Sequence, residues 1–531
     1  MMALYVLYWI AVAGLFVYGT NCYVLIFSFL RGRRENLHRL DRIREAFASR
    51  VREEELPGVT IQLPIFNERY VVGRLMQAVM RIDYPREKLE VQVLDDSTDD
   101  TTAIVDRLVR KYRAQGFRIR HLHRANRDGY KAGALKAGLA ASRGELVAVF
   151  DTDFVPRPDF LRRAVPFFVD PKLGLVQTRW GHVNEKTNLL TRTQALAIDG
   201  HFGIEQAGRC WGNLFLNFNG TAGVWRRSAI EDAGGWHADT LTEDLDLSYR
   251  AQLAGWWIEY LLDVEVPAEV PVDMAAFKSQ QRRWAKGSIQ TAKKMVWKVL
   301  ASRQPVFVKL QAMVHLTHYL VHPLMLTVAL LAVPLLQHWR GPSAPLSFGI
   351  MVAFLALSTC GPSALYLAGQ RTLRKDWKRR MLWMPGLLVI GTGIAVSNTR
   401  AVLEALFGIR SGFVRTPKRN AGPGQAAGRC VYGLPFDPVF LIEVLMSLYS
   451  GYGLFLYLSH GKYLIGPFLA LYTLGFGFVG FRSIWESWRA RRFARSDEAG
   501  ADLPDTSERD YELVMAIDPE PCAGAVAGAR T

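Results

Sequence analysis

Residues 3–30 form an almost unbroken apolar run, and Arg31, Arg33 and Arg34 follow at once. About 20 such residues span the hydrocarbon core of a bilayer as a helix, so a run of this length commits one end of the chain to a membrane. A cleavable leader carries its positive charge ahead of the apolar run. Here the charge comes after it, which predicts a retained anchor with the amino terminus outside and the Arg-rich end in the cytosol. Four further runs, at about 312–336, 346–368, 435–458 and 463–485, predict four more crossings, and Arg489, Arg491, Arg492 and Arg495 then mark a cytosolic tail. Residues 381–398 are apolar too, but they lie between two basic loops, "GQRTLRKDWKRR" and "IRSGFVRTPKR", one of which would be external if the run crossed. Pro385, Gly386, Gly391 and Gly393 interrupt this run, so it is assigned as interfacial or re-entrant and five crossings are expected.

The net charge of +16 on 531 residues raises the question of a nucleic-acid partner. The Lys and Arg residues gather beside the apolar runs, as on the cytosolic side of a membrane protein, so the lipid bilayer is the expected partner and nucleic acid is not. Cys22, Cys210, Cys360, Cys430 and Cys522 are odd in number, widely scattered and form no CxxC pair. Neither a disulfide framework nor a zinc site is expected from them.

Between the anchor and residue 312 the pattern changes. Short apolar runs bounded by turn residues ("VTIQLP", "LEVQVLDD", "RIRHLHR", "ELVAVFDTD", "LGLVQT") alternate with helical periodicity, as at Val71, Leu75 and Val79. This alternation predicts an α/β, Rossmann-like domain whose mostly parallel sheet binds ligands at the carboxyl ends of its strands. Asp95 and Asp96 end one strand, Asp151 and Asp153 another. Each pair alone suits a turn or a helix cap, but a D-x-D at a strand end also offers hard oxygen ligands to Mg²⁺ or Mn²⁺ that takes its remaining ligands from a diphosphate. Between them, "RDGYKAGALKAG" sets Lys131 beside Gly129 and Gly133, where a phosphate could approach. "TLTEDLDLSYRAQLAGW" reads as an amphipathic helix with Thr240 and Glu243 spaced as a capping box. Its acids suit the helix dipole, and Asp244 also suits a general base aimed into a cleft. The preceding "NFNGTAGVWRR" is a glycine-rich loop that would let a bulky acceptor approach.

Taken in order, "VQVLDDS", "GYKAGAL", "FDTDF", "LVQTRWGHVN", "FNGTAGVWR", "TEDLDLSYRAQLAGW" and "QQRRW" resemble the processive, membrane-embedded inverting β-glycosyltransferases of family 2. The likeness is to the cellulose synthase-like proteins that make mannan, glucomannan and xyloglucan backbones, and it covers about residues 59–418. The resemblance implies a GT-A-type cytosolic domain joined to an α-helical transmembrane region in the plasma (inner) membrane. It implies a nucleotide-sugar donor, UDP-glucose or GDP-mannose, a growing polysaccharide acceptor, export of the product, and possible export-complex subunits.

Site roles follow from the same resemblance. Asp96, with neighbouring Asp95, would contact the nucleoside, and Lys131 the diphosphate. Asp151 and Asp153 would hold the divalent cation, Mg²⁺ or Mn²⁺, with Asp151 also at the donor. Asp244 would deprotonate the acceptor hydroxyl, and Glu243 would help to bind the acceptor. Gln280, Gln281 and Arg283 would bind the diphosphate, and Trp284 would stack on the terminal sugar. A loop "GFVRTPK" resembles the family's gating loop, with Phe413, Thr416 and Lys418 in place and Arg415 where Val is usual; Ala134 stands where Asn commonly follows K-A-G. The expected layout is an anchor at 1–31, the catalytic domain at 32–273, interfacial helices at 274–311, two crossings within 312–369, the re-entrant segment and gating loop at 370–434, two crossings within 435–485 and a disordered tail at 486–531. A polyprenyl-phosphate monosaccharide transferase shares the fold and D-x-D, although Q-Q-x-R-W is not expected there. A passive export component would need none of the acidic motifs.

Overall fold

The β-branched runs of the middle region are buried on both faces, which is the environment that selects such sequences for parallel strands. In the computed structural model, which describes residues 2–337, 345–420, 437–461 and 463–494, seven strands form one mixed sheet. They are β1 (Val59–Ile65), β2 (Leu89–Asp95), β3 (Ile119–His123), β4 (Leu146–Val149), β5 (Leu173–His182), β6 (Gly223–Arg226) and β7 (Trp257–Ala268). Their order is β3-β2-β1-β4-β6-β5-β7. β1 runs parallel to β2 and β4, β2 to β3, and β5 to β7, while β6 is antiparallel to both of its neighbours. The α/β expectation holds, with two additions. The loop expected at "NFNGTAGVWRR" contains β6, and β7 follows the acidic helix without having been predicted.

Register sets what emerges from the sheet. Ile65 lies opposite Asp95, so Phe66 and Asp96 leave the sheet side by side. Gln62 lies opposite Val149, which carries Asp151 to the same edge one turn further on. The helix Tyr130–Ala141 begins behind Gly129, whose φ of +70° a residue with a side chain rarely adopts. A Cβ at Gly133 would stand 2.0 Å from the Asp128 carbonyl oxygen. Both glycines are therefore required by the turn itself, and the turn presents Lys131. The acidic helix spans Glu243–Leu253 with Thr242 as its N-cap, and no side chain caps it. The expected capping box is not formed, because Thr240 lies two residues outside the helix with its hydroxyl buried and unpartnered.

Among the described residues, four helices are long and apolar enough to cross a membrane: Met2–Arg50, Val306–Leu336, Val439–Ser459 and Tyr463–Arg489. A bent pair, Trp377–Gly393 and Ala395–Leu406, meets at 42° and would make five if it counted as one span. The helix Pro345–Leu373 covers the run expected at 346–368 and packs on the first helix so closely that a Cβ at Gly19 would come 2.4 Å from Ser358 Cα. The last helix extends to Ala494, so the tail is helical past Trp485. The rest of the tail, Cys430 and Cys522 lie outside the described residues; Cys22, Cys210 and Cys360 are free thiols.

Two sets of ion pairs tie the apolar helices to the sheet domain. The first helix continues beyond its apolar part and pairs Arg39 with Glu259 and Arg44 with Asp263, each at 2.7 Å. Asp199, fully buried on the helix Leu189–Gly200, accepts from His182 and Gln370 at 2.9 Å and pairs with Arg374 and Arg380 at 3.2 and 3.3 Å. Burial opposes its charge, but Arg374, His182 and Arg380 outweigh it and hold the carboxyl well below its ordinary value.

Candidate active site

A cleft opens where the carboxyl ends of β1, β2, β4, β5 and β7 meet the long helix Met274–Ala301 and the loop after Leu406. Of the residues singled out in the sequence, Asp96, Asp151 and Asp153 line it from the strand ends and Lys131 from the helix Tyr130–Ala141. Glu243 and Asp244 line it from the acidic helix, and Gln280, Arg283 and Trp284 from the long helix. Phe413, Thr416 and Lys418 close it from the loop.

Asp95 and Gln281 are not brought to the cleft. The Asp95 carboxylate is turned under the sheet edge, where it accepts from Ser97 N–H at 2.9 Å, Thr102 Oγ1 at 2.8 Å, His121 Nε2 at 3.0 Å and His123 Nδ1 at 3.1 Å. Burial works against its charge, but these bonds, led by His121, hold it well below the ordinary range. Gln281 follows Gln280 by one helical position, about 100° around the axis, and so leaves the cleft wall.

Lys131 stands at the centre of the site. Its Nζ donates to Asp151 Oδ1 at 2.5 Å and to the Gly220 carbonyl at 2.9 Å, and lies 4.0 Å from Glu243 Oε1. Burial opposes the ammonium charge, yet Asp151 and Glu243 raise its pKa above the ordinary value. Gly220, at φ +83°, lets Asp244 approach: a Cβ there would lie 2.9 Å from Asp244 Oδ2. Burial first, and the neighbouring Glu243 charge second, push Asp244 up to about 7, against the pull of Lys131 and the Leu245 N–H. Glu243 is raised as well, chiefly by burial. Arg283, half-buried among these acids, is lowered by desolvation although Glu243, Asp151 and Asp244 favour its charge.

The long helix is seated directly on the start of the acidic helix. A Cβ at Gly287 would meet Thr242 Cγ2 at 2.5 Å, so only glycine allows this approach. Arg282 and Lys286 both reach Glu404 of the bent pair, at 2.7 and 2.9 Å. Lys278 pairs with the buried Glu443 at 2.6 Å. These contacts fix the rotation of the helix that presents Gln280, Arg283 and Trp284.

The loop residues close over the D-x-D. Lys418 Nζ donates to Asp153 Oδ2 at 2.6 Å, and Arg415 bonds the carbonyls of Phe66 and Asn67. Phe413 stacks on Tyr130 with 5.7 Å between ring centroids and receives Arg283 over its face at 4.6 Å. Arg415, in the sequence only a departure from the gating-loop pattern, is thus a structural anchor of that loop. Glu68 and Arg127, to which the sequence patterns gave no role, also line the cleft. Burial pushes the Glu68 carboxyl up to about 7 despite Arg415 nearby.

Asp151 and Asp153 carry hard carboxylate oxygens at the cleft wall, each countered here by an ammonium group. That donor set fits a divalent cation shared with a diphosphate. Two other clusters of potential ligands, Asp95 with His121 and His123, and His237 with Asp239 and Asp246, do not line the cleft. In the first, Asp95 is already satisfied by hydrogen bonds; in the second, Lys294 stands 2.9 Å from Asp246 and supplies the positive charge.

A family profile described as "Glycosyltransferase like family 2" matches residues 57–287. Glucomannan 4-beta-mannosyltransferase 2 of Arabidopsis thaliana is 35% identical over 459 residues, covering 80% of this chain and 81% of that protein. Probable glucomannan 4-beta-mannosyltransferase 6 of Oryza sativa subsp. japonica is 43% identical over 295 residues, covering 54% of this chain and 50% of that protein. Among solved structures, a mannosyltransferase from Pyrobaculum calidifontis in complex with GDP-Man and Mn2+ aligns over 75% of this chain and 100% of its own, at 20% identity and a TM-score of 0.46.

Proposed function

We infer the activity from one premise: this chain belongs to glycosyltransferase family 2, in its cellulose synthase-like branch, and is a hexosyltransferase. We propose that it polymerises a sugar from UDP-glucose or GDP-mannose into a β-linked polysaccharide, by single-step inversion at the anomeric carbon, and passes the product across the membrane. The observation that carries this reading is Asp244, half-buried at a helix start within the cleft and poised near neutral pH opposite Lys131 and Arg283. In this reading Asp244 takes the proton from the acceptor hydroxyl as it attacks. Lys131 and Arg283 would stabilise the leaving diphosphate, Gln280 would orient it, and Trp284 would offer its face to the acceptor's terminal sugar. Asp96 would contact the nucleoside. Asp151 and Asp153 would hold a divalent cation, which when bound supplies charge stabilisation to the diphosphate. Purified protein in nanodiscs, supplied with each radiolabelled sugar nucleotide and assayed for polymer, tests the proposal; absence of product from both donors would refute it.

The raised Asp244 value sets a pH dependence. A base must be deprotonated to act, so turnover at saturating donor should rise tenfold per pH unit below about 7 and level off above it. Because Asp244 sits beside Glu243, the apparent pKa belongs to the pair. A rate independent of pH from 5.5 to 8 would contradict the assignment.

The start of the bent pair and the loop that follows it both meet the sheet domain: Arg380 pairs with Glu185 at 2.9 Å, and Lys418 with Asp153. This supports a segment that dips and returns on one side, with five crossings contributed by the other apolar helices. Single cysteines at 380 and 418 should resist an impermeant thiol reagent applied to intact cells and react after permeabilisation. Labelling from outside at either position would overturn this topology.

A further inference from the structure

Arg127 lies in the turn between β3 and the helix that carries Lys131, at the head of the "RDGYKAGALKAG" stretch, and the sequence patterns give it no role. Its guanidinium carbon sits 3.3 Å from the Phe66 ring centroid, 5.1 Å from that of Tyr130 and 5.7 Å from that of Phe413. Three aromatic faces thus hold it inside the cleft. Nearby arginines spend their donors on the protein: Arg124 binds both oxygens of Asp96 at 2.7 and 2.5 Å, and Arg415 binds two backbone carbonyls. Among the described residues, Arg127 makes neither a side-chain hydrogen bond nor an ion pair within 4 Å; Asp96 is the charge that most favours its ionised form, while burial lowers its pKa.

The position of Arg127 along the sheet edge indicates what such a fork would meet. The diphosphate end of the cleft is marked by Lys131 and Asp151, beyond β4. Phe66 and Asp96 end β1 and β2, on the other side of β1, and a donor laid across the strand ends places its nucleobase there. A guanidinium offers parallel N–H donors in a fixed plane. Guanine answers with two adjacent acceptors, O6 and N7, whereas uracil has a single carbonyl, O4, on the corresponding edge.

We propose that Arg127 reads the nucleobase of the donor and is matched to guanine over uracil. The proposal rests on the reading of this cleft as a nucleotide-sugar site. Phe66 supports the guanidinium plane, and closure of the loop brings Phe413 against it, so base reading and loop closure share one stack.

The test measures equilibrium affinity for GDP, UDP, inosine diphosphate and 7-deaza-GDP, by calorimetry on the full chain in nanodiscs. GDP and inosine diphosphate, which both keep O6 and N7, should bind about 10- to 100-fold tighter than UDP, the scale of one bidentate arginine–guanine contact. 7-Deaza-GDP should lose most of that advantage. Arg127→Met keeps an apolar stem on Phe66 and should bring GDP to the level of UDP while leaving UDP within about twofold. Equal parental affinity for GDP and UDP would overturn the proposal, as would a parallel loss of both in Arg127→Met, which would make Arg127 a general support of the loop. Binding of none of the nucleotides would overturn it together with the donor-site reading, whereas a preference for UDP would leave that reading standing and remove only the guanine assignment.

Discussion

Asp244→Asn should fold, bind sugar nucleotide with the parental affinity and lose at least ~10²-fold in turnover, the lower scale of general-base catalysis. The substitution keeps the shape of the side chain, and its amide oxygen can still accept the Leu245 N–H that Asp244 accepts at 2.8 Å. What it removes is the proton acceptor. It also removes the like charge beside Glu243, so the folded protein should be no less stable. Trp284→Ala separates the second half of the site: donor affinity should persist while polymer extension fails, because in the proposed mechanism that ring faces the acceptor. Calorimetric nucleotide affinity beside polymer yield, in one membrane mimetic, distinguishes these patterns. Near-parental polymerisation by Asp244→Asn, or equal losses in binding and turnover, would leave Asp244 as no more than a helix-start acid.

Removal of divalent cations should be comparably severe. With Asp151 and Asp153 set to hold a cation against the diphosphate, excess chelator should depress turnover by at least ~10²-fold, since such charge stabilisation contributes several kcal/mol. Mg²⁺ or Mn²⁺ should restore it. Lys418 and Lys131 already pair with the same two carboxylates. Cation and ammonium groups therefore compete, and Lys418→Ala should lower the Mn²⁺ concentration needed for half-maximal rescue. Full turnover in chelator would refute the metal assignment.

The strand ends bearing Asp96, Asp151 and Asp153 were legible because buried parallel strands are continuous apolar runs, so the first acid after each run marks an edge. β6 escaped because four residues inside a glycine-rich stretch carry too little pattern. β7 escaped because it follows the acidic helix after only a short glycine turn. Choosing between Asp95 and Asp96 needs the strand itself, since consecutive side chains leave opposite faces. Gln280 and Gln281 present the same problem on a helix. Glu68, Arg127 and Arg415 come from three distant segments, and no spacing rule relates them; only the folded sheet edge and the returning loop bring them to one wall.

The first helix is a single rod of 49 residues, ~70 Å long at 1.5 Å per residue. Its apolar part is sized for the bilayer, and its basic part is bolted to β7 through Arg39 and Arg44. Helices of this kind curve gently and do not hinge without a specific break. The catalytic domain is accordingly held at a constant height and azimuth relative to the apolar part of this helix, like the stator of a motor. Under the proposed function, with the housing fixed, the stroke that advances the product by one sugar would fall to the polysaccharide itself and to the small loop at the cleft mouth, and each new glycosidic bond would form at the same point in space.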